Sequence, residues 1–81
     1  MLSYLSTLNK TPKFVLNWLA NDKEYYVRRA VAENPNTSTE TLDRLANDFD
    51  HWVRSWVARN PSTPQYIRTY LKIKRFLNYY V

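Results

Sequence analysis

The chain of 81 residues contains no glycine and no cysteine. Without glycine the backbone lacks its usual residue for left-handed turns and strand bulges, and no Gly-rich phosphate loop can form. Helices joined by Asn-Pro and Ser/Thr-Pro corners are the expected alternative. Without cysteine there are no disulfides, thiolate nucleophiles or cysteine-ligated clusters, which fits a reducing compartment. The start MLSYLSTLNK has no basic segment and no long apolar stretch, so no secretion signal is expected. No run approaches the ~20 apolar residues that span a bilayer, and the expected location is the cytoplasm. Histidine occurs once, at His51. Metal and acid–base sites need several converging groups, so no catalytic residue, metal or cofactor is expected, and the chain is not read as an enzyme.

Acids are confined as well. All seven lie between positions 22 and 50, whereas residues 51–81 carry Arg54, Arg59, Arg68, Lys72, Lys74 and Arg75 and no acid. The net charge is +5. Such asymmetry marks either a solvated basic helix or a surface for a polyanion or acidic partner.

What the chain does have is an internal repeat. Residues 11–35 and 37–61 align without gaps at a period of 26, with twelve identities in 25 positions. The shared pattern is T-x₄-L-x₂-L-A-N-D-x₄-V-R-x₂-V-A-x-N-P. A fixed period in this range signals stacked repeats. Each copy reads as two helices. Thr11-Pro12, Thr37 and Thr63-Pro64 mark three starts, with Thr37 and Glu40 spaced as a capping box. Leu16/Leu19 and Leu42/Leu45 share one helix face. Asp22 and Asp48 are placed as N-caps of a second helix over roughly 23–33 and 49–59. That helix stops at Asn34-Pro35 and Asn60-Pro61, because the residue before proline avoids the α region.

At 100° per residue, the second helix sorts into two arcs. Val27, Arg28, Val31, Ala32 and Asn34 recur as Val53, Arg54, Val57, Ala58 and Asn60. These ten are assigned to stacking. The four valines are placed in the core, and the two alanines allow close approach of the neighbouring unit. The other arc differs between copies, with Tyr25 becoming His51, Arg29 becoming Ser55 and Glu33 becoming Arg59. Tyr26/Trp52 and Ala30/Trp56 lie between the arcs. Arg28 and Arg54 admit two roles, pairing with Asp22, Asp48 or a neighbouring helix end, or forming a guanidinium ladder spaced for phosphates.

V-R-x-x-V-A-x-N-P followed by T-P or T-S, with an L-x-x-L-A pair and a period near 26, resembles the leucine-rich repeat variant family, itself similar to HEAT-type repeats. The resemblance covers residues 11–64 well and 65–71 weakly. It implies an all-α fold: a small right-handed α-solenoid of about two and a half 26-residue two-helix repeats with N- and C-terminal capping helices. The expected single domain spans 1–81, with an N-terminal cap at 1–10, repeats at 11–36 and 37–62, and a partial repeat with capping helix at 63–81. The resemblance implies no catalytic residues. The cysteine-ligated iron–sulfur segment of some members does not carry over to a chain without cysteine. Bacterial and bacteriophage origins both fit it.

The ends of an open stack need caps. Leu2, Leu5 and Leu8 form the expected N-terminal one. At the other end Tyr70, Ile73, Leu77 and Tyr80, widened by Ile67 and Leu71, form an apolar stripe beside a basic stripe of Arg68, Lys72 and Arg75. Surplus aromatics there, Phe76, Tyr79 and Tyr80, also suit self-association. The expected partner-binding set is Tyr25, Tyr26, Arg29, His51, Trp52, Trp56 and Arg59. Trp, Tyr and Arg dominate protein-binding hot spots, and basic residues interleaved with aromatics also suit nucleic acid. Composition leaves both readings open; the leading expectation is a small accessory or regulatory protein that binds another protein.

Overall fold

The computed structural model describes residues 10–80, and the side chains of 10–78. The expected N-terminal cap (Leu2, Leu5, Leu8) and the side chains of Tyr79 and Tyr80 lie outside the described residues. Five helices follow one another: α1 (Lys13–Leu19), α2 (Tyr25–Glu33), α3 (Thr39–Leu45), α4 (His51–Arg59) and α5 (Gln65–Tyr80). The described residues contain no strand, and none has a positive φ, as suits a chain without glycine.

The helix ends follow from local chemistry. Asn34 and Asn60 precede proline and adopt extended ψ angles of 122° and 126°, which ends α2 and α4. The second helices start two residues later than the sequence suggests, and Asp22 and Asp48 are not their N-caps. Each instead accepts a backbone bond two residues on, at 2.9 Å from Glu24 N and Asp50 N. This is an Asx turn ahead of the helix. The cap of α4 is Asp50, whose Oδ1 accepts from Trp52 N and Val53 N. Likewise the Thr37–Glu40 capping box does not form. Ser38 caps α3 by accepting from Thr41 N. Thr37 turns inward and donates its hydroxyl to Val31 O at 2.6 Å, and Thr63 does the same to Val57 O at 2.7 Å. Each threonine thus satisfies a carbonyl near the end of the preceding helix.

One apolar cluster holds the helices together. It comprises Leu16, Ala20, Val31, Ala32, Leu42, Leu45, Ala46, Val53, Val57, Ile67 and Leu71, with Leu19 and Trp56 packed at its margin. The most extensive helix–helix contact joins α2 to α4. Ala32 is fully buried there, where its lack of a side chain beyond Cβ lets the helices approach. Two stacking assignments need correction. Val27 is only half-buried, and Ala58 is exposed. Identity between copies marks an equivalent position, but it does not give that position the same cover in each copy. The third correction concerns α5. Ile67 and Leu71 enter the core, but Tyr70, Ile73, Phe76 and Leu77 are 41–60% exposed, so the stripe does not seal the end of the stack along its length.

Polar groups stitch the same seam. Asn60 Nδ2 donates to Ala32 O at 2.7 Å and to Asn34 O at 2.8 Å, tying the end of α4 to the end of α2. Both asparagines are almost completely buried. No described buried side-chain polar atom lacks a partner, as a well-determined interior requires.

A cationic groove at the end of the helix ladder

Arg28 on α2 reaches across to the turn before α4. Its Nε donates to Asp48 Oδ2 at 2.7 Å and its Nη2 to Asp48 Oδ1 at 3.1 Å. Nη1 donates to the carbonyls of Asp22 and Lys23 at 2.8 and 3.0 Å. The pair is bidentate and nearly buried, the geometry in which an arginine–carboxylate contact is strongest. The hydrogen bonds that Arg28 donates to the Asp48 carboxylate raise its pKa despite the opposing effect of burial. The Phe49 ring lies 4.9 Å from the guanidinium, so an aromatic residue 87% exposed closes the outer side of the pair. Arg28 is therefore not available to a phosphate.

Arg54 is the same residue one copy later, and its surroundings differ. It keeps the leg to the chain, with Nη1 donating to Asp48 O as Arg28 Nη1 donates to Asp22 O. It has no carboxylate partner among the described residues; the two ion pairs found there are Arg28–Asp48 and Arg29–Glu33. The reason lies in the sequence. Positions 22 and 48 are aspartate, and 26 residues on stands Lys74. At that point the chain does not turn but continues as α5.

The result is a groove of about 570 Å³ between α4 and α5. All six basic residues beyond position 50 line it: Arg54, Arg59, Arg68, Lys72, Lys74 and Arg75. His51 joins them, no carboxylate does, and Ala58 and Leu71 supply apolar surface. Arg68 is anchored by bonds to Thr63 O at 3.1 Å and Asn60 O at 2.7 Å, so it also caps the end of α4. Lys72 and Arg75 are exposed. Like charges gathered without counter-charge repel one another, and an anion bound among them relieves that repulsion.

The residues expected to bind a partner do not form one site. His51 and Arg59 line the groove, together with the basic stripe of Arg68, Lys72 and Arg75. Tyr26 instead lines a hollow with Leu16, Leu19, Val27, Ala30 and Val31. Tyr25 meets Tyr26 edge-on at 5.9 Å, and His51 lies 5.0 Å from Trp52. Trp56 is half-buried at the core margin, with the Arg59 guanidinium 5.2 Å from its ring. Arg29 pairs loosely with Glu33 at 3.6 Å. Residues outside the site expected from the sequence are Phe14, Trp18 and Phe49, all more than 70% exposed, and Lys74, counted there only among the basic residues, which lines the groove. Lys74 was visible in principle, as a reversal of charge at the third place of the aspartate register.

Among the described residues no group of histidine, cysteine or acid side chains is placed to hold a metal. No described helix is long and apolar enough to cross a membrane. No curated protein and no solved structure matches the chain. The family model described as leucine rich repeat variant matches residues 25–50, which is 26 of the chain's 81 residues. The match begins with α2, contains α3, and ends at Asp50, the residue that caps α4. Residues 25–50 are thus similar to a unit of the leucine rich repeat variant family, the one that the sequence pattern resembles.

Proposed function

We propose that the chain is a short right-handed α-solenoid without catalytic activity, acting as a module that binds an acidic protein partner through the groove between α4 and α5. The observation that carries this is the convergence of six cations and no carboxylate on one concave surface. Helical repeats of this family commonly serve protein interaction, and a repeat scaffold displays surface rather than chemistry. The domain reading follows the helix starts at 13, 39 and 65 for first helices and 25 and 51 for second helices. A small accessory or regulatory protein of the cytoplasm is the role that this architecture fits.

The experiment compares wild type with Lys72→Glu/Arg75→Glu as affinity baits in lysate of the native cell, with and without nuclease treatment. Both side chains are exposed, so the exchange leaves the core intact. The reading expects an acidic protein retained by wild type and lost by the variant. Equal retention by both places the binding surface elsewhere. Retention of nucleic acid alone, abolished by the nuclease and steeply weakened by salt, replaces the protein partner by a polynucleotide.

A further inference from the structure

Resting on that reading of the groove, we infer that its occupant is an acidic amphipathic helix of another protein, seated beside α4 as the second helix of a third unit, with a carboxylate on Arg54. The template is internal. α4 lies against α2, and the turn before α4 delivers Asp48 to Arg28 through two charge-assisted bonds. Beside α4 in the next place the register is broken, because residues 65–80 form one helix and Lys74 stands where the aspartate belongs. Two features of α4 remain set for a neighbour. Ala58 is bare where Ala32 is fully buried, and Arg54 is half-buried and held by the Asp48 carbonyl without an acid to bind.

The shape of the seat selects among occupants. Exposed Ala58 and the edge of the otherwise buried Leu71 line it together with the cations. A helix with a small-residue and aliphatic face and acidic flanks matches that pattern, as in other helix-in-groove complexes. A second copy of this chain does not match it. Its α2 would enter the seat only with its α1 alongside, and the place of a first helix is already held by the start of α5, where Ile67 and Leu71 are in the core. A polynucleotide satisfies the cations but leaves the bare Ala58 unused.

The test uses the chain's own second helix as probe. A synthetic peptide of residues 47–60 carrying Ser55→Glu and Arg59→Glu retains Asp48, Val53, Val57 and Ala58 and gains acid at two positions that differ between copies. Short peptides are marginal helices in water, so binding is followed by amide chemical shifts of the labelled 81-residue chain at high peptide concentration. The expected result is saturable shifts at His51, Arg54, Ala58 and Leu71. Asp48→Ala in the peptide should weaken binding about tenfold, as loss of a charge-assisted pair does. The same peptide change should have no further effect on Arg54→Met protein. The peptide substitution cannot unfold the protein, so it stands even if the protein variant is unstable. Equal binding of the two peptides overturns the Arg54 contact. Shifts confined to α2, or no binding, overturn the helix seat. Binding of a short DNA duplex without binding of the peptide does so as well. An acidic protein captured in a Lys72/Arg75-dependent manner would still leave the groove as a binding site.

Discussion

Removing Arg28 separates the two arginines of the repeat. In Arg28→Ala the Asp48 carboxylate, with its side chain 7% exposed, loses both guanidinium bonds, and the carbonyls of Asp22 and Lys23 lose theirs. Breaking a buried pair from one side costs about 3–5 kcal/mol, because the remaining charge stays desolvated. Arg54→Ala removes one described hydrogen bond, to the Asp48 carbonyl, from a half-buried side chain. A single such bond contributes about 0.5–1.5 kcal/mol. For a domain of this size each kcal/mol moves the melting temperature by about 4–8 °C. Arg28→Ala should therefore lower Tm by at least about 12 °C, and Arg54→Ala by less than about 12 °C, both read by circular dichroism with urea unfolding as a check. Arg28→Leu/Asp48→Asn should recover much of the loss, since the neutral amide leaves no stranded charge and still accepts from Asp50 N. Equal losses for the two alanine variants would refute the claim that only the first arginine bridges units. So would a double variant no better than Arg28→Ala.

Other expectations follow from the same geometry. Asn60→Ala strands the buried carbonyls of Ala32 and Asn34 and should cost about 2–3 kcal/mol in urea unfolding. Ala32→Leu should destabilise by about 1–3 kcal/mol through overpacking of a fully buried seam. Ala58→Leu, in the open groove, should stay within about 0.5 kcal/mol of wild type while weakening partner binding. Because its pKa is raised, Arg28 keeps its charge as pH rises. Its contribution is present below the ordinary arginine range and is lost only above it, so Tm should show no Arg28-dependent step between neutral pH and about pH 10.

Much of the fold was legible because the period and the punctuation agree. The apolar spacing gave the helix faces, and Asn-Pro gave the stops of α2 and α4. The starts were harder. Thr37 and Ser38 can each cap a helix, and the choice is tertiary: Thr37 is drawn to the Val31 carbonyl, which leaves the cap to Ser38. Identity between copies also hid differences in cover, so Val27 read as core and Ala58 as a point of close approach although neither is fully covered. The groove was hidden for a related reason. Arg54 carried the stacking signature of Arg28, and only the course of α5 shows that its partner position has become Lys74. The distinction between stacking and binding is thus one of place in the stack as well as of residue identity.

The central claim is that the cationic end of the ladder is where a partner binds. Amide hydrogen exchange of the chain, alone and saturated with the acidic protein that it captures, tests this most directly. The account predicts added protection in α4 and in α5 around Arg68 to Asn78, with α1 unchanged. Protection confined to α2 around Tyr25, Tyr26 and Arg29, with α4 and α5 unaltered, would contradict it.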